Sequence, residues 1–185
     1  MPPTRSSGWR ERPYALSRSG DGWTFSDRSG EHGTNTLVGV ERLQFSDTSL
    51  ALDTDGNAGT LARVVHAVFG SAGLADSGLM GQFFDLLDGG MSEAGLVSMA
   101  IDSDAFIALA GSVSNDDLVR TLYRNVIGVD PADAERGYFV GLIESGATTP
   151  AGLALMAAEV SYNVEKVDLI GLDATGVEYL PVGLG

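Results

Sequence analysis

Two stretches of this chain are versions of one another. Thr60–Gly70 reads TLARVVHAVFG and Asp117–Gly128 reads DLVRTLYRNVIG, with Arg63 matching Arg120. Further on, LLDGGMSEAGLVSMA lines up with LIESGATTPAGLALMA, so that Gly90 and Gly95 match Gly146 and Gly152. The offset stays at 56–57 residues. A period of that length, with helical spacing inside it, means two copies of one three-helix module packed together. The repeat predicts a helical unit over residues 58–111 and a second over 112–168.

Apolar stripes fill in the helices. Leu61, Val64, Val65, Val68 and Phe69 recur at helical spacing up to Gly70, and Leu79, Met80, Phe83, Phe84 and Leu87 up to Gly89. Ser92 opens a third helix with Leu96, Met99 and Ala100 inward. In the second module Ser114 or Asn115 is a natural N-cap before the stripe Leu118, Leu122, Tyr123 and Val126. Pro131 suits a first turn, with Tyr138, Phe139, Leu142 and Ile143 as the buried face. Pro150 opens one more helix, with Leu153, Leu155, Met156 and Ala157 inward.

Before Asn57 the period is two. Tyr14–Ser17 and Trp23–Ser26 read as a hairpin across Ser19-Gly-Asp-Gly22. After a glycine turn at Gly30–Gly33, a third strand is expected over Leu37–Phe45 and a short fourth over Ser49–Leu52. The expected fold is therefore α+β, mainly α: a small N-terminal antiparallel β element over residues 13–57, then a helical bundle of two related three-helix units. Residues 1–12 read as a frayed, polar N-terminus and 169–185 as a C-terminal tail.

Charge narrows the partners. The formal net charge is −14, and past residue 45 only five basic side chains face twenty acids. Such a surface repels nucleic acid and anionic membranes alike. No run reads as a membrane span, and the first twenty residues lack the apolar segment of a signal peptide. With no cysteine, disulfides, thiolate zinc sites and cysteine nucleophiles are excluded.

No catalytic motif stands out, and the chain reads as non-enzymatic. The two histidines, His32 and His66, read as solvated or capping residues, since a zinc or catalytic site needs convergent ligands. Asp102, Asp104, Asp116 and Asp117 bracket the link between the modules and read as helix caps in a solvated linker. Arg63 and Arg120 are expected to pair with acids at helix junctions. The aromatics Phe83, Phe84, Tyr138 and Phe139 read as core, with a ligand pocket the alternative.

The stretch LALDTDGNAGT, Leu50–Thr60, carries two readings. Asp53, Asp55 and Asn57 supply oxygens at alternate positions, as a calcium loop does. The sixth position is Ala58 rather than glycine and the twelfth is Val64 rather than a bidentate Glu. In the other reading Gly56 takes a left-handed turn, Asn57 caps the helix and Asp55 faces its dipole. Calcium is thus the one cofactor expected, if any.

Some of these residues carry a resemblance. GTNTLVGVERLQFSD at Gly33–Asp47 resembles the segment following the calcium-binding nonapeptides of repeats-in-toxin proteins, although the nonapeptides themselves are absent. ALDTDGNAG with LYRNVIGVDPADAERGYFVGLIESG resembles the helical domain of unknown function 4214 of bacterial type I-secreted proteins, the first copy being degenerate. The resemblance implies an extracellular or cell-surface location and export without a signal peptide. It implies type I exporter components as partners, with self-association or other surface proteins besides. The function expected is a non-enzymatic module for export and surface display or interaction; a calcium-dependent adhesion domain, or an accessory domain of an extracellular enzyme, is the alternative. The tail VDLIGLDATGVEYLPVGLG is expected to be the export signal, unless Leu169, Ile170 and Val177 pack on the helices.

Overall fold

The computed structural model describes residues 14–20, 22–29, 31, 33–169 and 171–182. The expectations for residues 1–12, Gly30, His32 and Ile170, and for the side chain of Leu169, lie outside the described residues. The fold is α+β and mainly α, as the periodicity requires.

Strands β1 (Tyr14–Ser19), β2 (Gly22–Asp27) and β3 (Thr34–Leu37) form one antiparallel sheet in that order. Trp23 of β2 lies opposite both Arg18 and Leu37 and is buried. The third strand expected over Leu37–Phe45 breaks in two. Gly39 takes a positive φ of 67°, a conformation glycine adopts at little cost. Beyond it β4 (Arg42–Gln44) leaves the first sheet and pairs with β5 (Ser49–Ala51). Tyr14, Phe25 and Phe45 stack across the break, with ring centroids 4.5–6.2 Å apart.

The second sheet is completed from the far end of the chain. β6 (Val177–Tyr179) pairs antiparallel with β5, so the expected tail supplies a structural strand and Val177 is buried. Thr48 fastens this junction by donating to the Glu178 carboxylate at 3.0 Å.

The helical body comprises α1 (Asn57–Ala75), α2 (Ser77–Asp88), α3 (Glu93–Ile101), α4 (Asp104–Ala110), α5 (Asn115–Ile127), α6 (Asp133–Glu144), α7 (Pro150–Glu159), α8 (Ser161–Leu169) and the short α9 (Leu172–Thr175). α1 packs on α2, α3, α5, α7 and α8. It is long and apolar enough to cross a membrane, which the sequence reading missed. In this fold 61% of that window is buried, as suits a central core helix. Leu61, Val64, Val65 and Val68 are almost wholly inaccessible, each contributing about 1.5–3 kcal/mol through burial.

In place of the solvated linker expected between residues 102 and 117 stands a helix, α4, and serines rather than aspartates cap the helices around it. Ser92, Ser103 and Ser114 each accept a backbone N–H at the start of α3, α4 and α5. Asp102 ends α3, while Asp104, Asp116 and Asp117 sit in first turns, where the helix dipole favours them. Asp117 accepts from the Ser112 and Ser114 hydroxyls, which hold its carboxyl below the usual range. Pro131 precedes the N-cap of α6, and Pro150 begins α7 as expected. Ser92 accepts from Gly95 N–H at 3.2 Å, and Thr149 from Gly152 N–H at 3.0 Å, so α3 and α7 start alike.

Several stripes turn out otherwise than expected. Met99 is exposed and Val97 takes its place inside; in α7 Ala154 and Ala158 join Leu153 inward, while Met156 is exposed. The largest difference is α6, none of whose residues is buried.

Gly81 of α2 explains how the tail reaches its place. A Cβ there would stand 1.7 Å from the Leu180 carbonyl oxygen, and Leu180 N–H donates to Ser77 O at 2.8 Å. Gly81→Ala is therefore expected to cost about 1–3 kcal/mol in urea melts, as overpacking does. Gly137→Ala, whose Cβ would meet nothing within 4 Å, is expected to be neutral or stabilising by about 0.5–1 kcal/mol, as Gly→Ala is within a helix.

Candidate functional site

The residues singled out at Leu50–Thr60 lie where the sheets meet α1, and arginines engage both aspartates. Asp53 is ion-paired with Arg42, and its other oxygen accepts from Ala58 N–H at 3.4 Å. Asp55 pairs with Arg18 at 2.7 Å. Asn57 is the first residue of α1 and does not cap it. The N-cap position is Gly56, with φ −119° and no side-chain hydrogen bond, so the left-handed turn expected there is absent. Among the described residues no group of three His, Cys, Asp or Glu side chains gathers as metal ligands do. Arg42 also reaches Asp88 at 3.2 Å and lies 4.8 Å over the Phe84 ring, which itself contacts Tyr179. It thus ties β4, the start of α1, α2 and β6 together.

Arg63 pairs with Glu159 of α7 at 3.2 Å, a contact between helices. Arg120 pairs within its own helix, with Asp116 at 3.0 Å, and Asp116 accepts in turn from Arg136 of α6 at 2.8 Å.

His66 is neither solvated nor capping. It is buried, and its Nδ1 lies 2.7 Å from Asn163 Oδ1. The Asn163 amide nitrogen donates to Arg63 O and Ala158 O, so its oxygen is left to accept and His66 Nδ1 must carry the proton. Nε2 faces the Ser71 hydroxyl at 3.5 Å. Burial, reinforced by Lys166, pushes the His66 pKa below its ordinary 6.5, against the opposing hydrogen bond. A neutral imidazole joined to a fully buried asparagine binds α8 to α1 and α7. Sequence reading missed Asn163 because an isolated asparagine carries no periodic signal.

The open site lies elsewhere, between α5, α6 and α7. Val119, Leu122, Tyr123 and Val126 recur along α5, and Leu153, Met156, Ala157 and Val160 along α7, both at i, i+3, i+4, i+7. Two helical stripes thus face a common space. Tyr138, Phe139 and Leu142 of α6 form its third wall. The space is a cleft of about 360 Å³, apolar on all sides. Phe83 and Phe84 are core as expected, but Tyr138 is 63% exposed and packs edge-on against Phe139 at 5.3 Å. Tyr138 thus stands outside the core, while Phe139 is part-buried and packs against it.

Polar groups hold α6 in place without entering the cleft. Tyr123 donates to Glu135 Oε1 at 3.0 Å, which raises the tyrosine pKa, and Glu135 also accepts from Ala132 N–H. Arg136 bridges Asp116 and Asp133, and Arg124 pairs with Asp130 at 2.6 Å. Among the described residues that line the space, no carboxylate or imidazole is present, and Tyr123 and Tyr138 carry its only ionisable groups.

Residues 97–166 match the family model described as a domain of unknown function (DUF4214). Every cleft-lining residue lies inside the matched segment, which runs from within α3 into α8. No curated protein and no solved structure matches the chain. The DUF4214 segment is thus the part that carries the cleft, while α1 and both sheets lie outside it.

Two outcomes are expected here. Asn163→Leu strands the His66 N–H and two carbonyls, and should cost about 2–4 kcal/mol in denaturant melts. The native chain should lose stability as pH falls. The folded state binds a proton at His66 less readily than the unfolded chain, so the contribution is complete above about pH 6.5 and is lost as the pH drops through that value. Melts between pH 8 and about pH 5, with the His66 ring resonance followed by NMR, check this. Millimolar calcium is expected to leave the melting temperature unchanged, because Arg18 and Arg42 already neutralise the loop; a rise that is absent from Asp53→Ala/Asp55→Ala would restore the ion.

Proposed function

We propose that this chain is a non-enzymatic interaction module of a bacterial exported or surface protein, and that it binds through the cleft between α5, α6 and α7. The observation that carries the reading is a helix, α6, with no buried residue, which leaves Tyr138, and Met156 beside it on α7, facing solvent around an apolar space. Apolar side chains left open in a concave site of this size favour a ligand with an apolar part. The export half of the reading rests on the resemblance of Gly33–Asp47 and of the second module to type I-secreted proteins. A chain without cysteine and with one lysine is compatible with it.

The two-copy reading belongs here as well. α1, α2 and α3 would correspond to α5, α6 and α7. The matching starts of α3 and α7, and the packing of α1 on α5 and α3 on α7, favour it. In this reading the first module is the packing partner and the second carries the binding surface.

Nile red, a neutral apolar fluorophore, should brighten on mixing with the native chain. Ala157→Phe, which places a ring in the cleft, should abolish the gain with an unchanged circular dichroism spectrum. A gain that survives Ala157→Phe would remove the cleft as the binding site.

A further inference from the structure

We propose that the occupant is a cationic peptide segment of another protein, with its apolar side chains in the cleft and its Lys or Arg side chains on the acidic rim. This rests on the cleft being a binding site and adds what it selects.

Charge makes the choice. Asp130 and Asp133 flank the start of α6, Glu135 is hydrogen-bonded to the cleft residue Tyr123, Glu144 lies at the far end of α6, and Glu159 adjoins the cleft residue Val160. The arginines beside them are already paired, Arg124 with Asp130, Arg120 and Arg136 with Asp116, Arg136 also with Asp133, and Arg63 with Glu159, so these four cations face the six acids Asp116, Asp130, Asp133, Glu135, Glu144 and Glu159. The rim is therefore net negative, on a chain whose formal charge is −14. A second copy would bring the same sign, and a fatty-acid carboxylate or anionic lipid would be repelled. A basic segment gains both encounter rate and specificity from such a rim.

Isothermal titration of the full chain with a short synthetic peptide bearing Leu and Phe anchors and Lys flanks tests this, beside its counterpart with Glu for Lys. The Lys peptide should bind, more weakly as salt rises, and the Glu peptide at least about tenfold less tightly. Ala157→Phe should abolish binding. Met156→Lys, at an exposed residue of the cleft wall, should weaken it strongly with an unchanged melting temperature, which guards against misfolding of the first variant. Glu144→Lys should weaken the Lys peptide. Equal binding of the Glu peptide would overturn the proposal. So would palmitate displacing Nile red, or sedimentation showing a dimer that Ala157→Phe dissolves; in all three the cleft still binds, and only the partner class is wrong. Absence of Nile red binding altogether would defeat the proposed function itself.

Discussion

A central helix buried on nearly every side must have its polar groups answered by its neighbours, and the body of the structure follows from how α1 meets that demand. Gly70 breaks its helical course with φ 68° and ψ −167°, a region that only glycine enters at little cost. The break frees the preceding carbonyls, and Asn125 of α5 donates to Ala67 O at 3.1 Å and Val68 O at 2.8 Å. One turn earlier, Asn163 of α8 takes Arg63 O and the His66 ring. Two asparagines, from α5 and α8, thus complete the hydrogen bonding of the core helix. A buried donor or acceptor left unmet costs about 1–3 kcal/mol, so these contacts select one packing among the many that apolar burial alone would allow.

With α1 pinned this way, α2 and α6 lie around one core and differ in what covers them. α2 lies between that core and the second sheet, with Phe84 against Tyr179 and Gly81 beneath Leu180. α6 has no such cover. Ion pairs and the Tyr123–Glu135 hydrogen bond hold it at its rim, and its apolar side chains border open space. α2 is covered, while α6 is open. The closing of the second sheet by β6 makes the difference, since that strand packs against α2 and α1.

This division bears on function through chemistry rather than through names. The buried histidine is committed to Asn163, and the aspartates of the β–α junction are committed to arginines. What remains open to another molecule is an apolar cleft inside the segment that matches DUF4214, bordered by acids. Binding with charge selectivity is the activity we propose for such a surface.

The sequence by itself determined the elements that local physics controls. Period two before Asn57 and helical stripes after it located the hairpin and most helices, because alternation and the 3.6-residue repeat follow from backbone geometry alone. Serine caps at Ser92 and Ser114 and the proline at Pro150 were legible for the same reason. Tertiary structure decided what depends on partners distant in the chain. The stripe of α6 had the spacing of a core helix, and whether Tyr138 is covered depends on what packs above it, which spacing does not encode. His66 became a buried hub through Asn163, 97 residues away. Asp53 and Asp55 had the alternation of an ion loop, but arginines from β4 and β1 reached them first. The tail became a strand because β5 offered an edge and Gly81 left room for it.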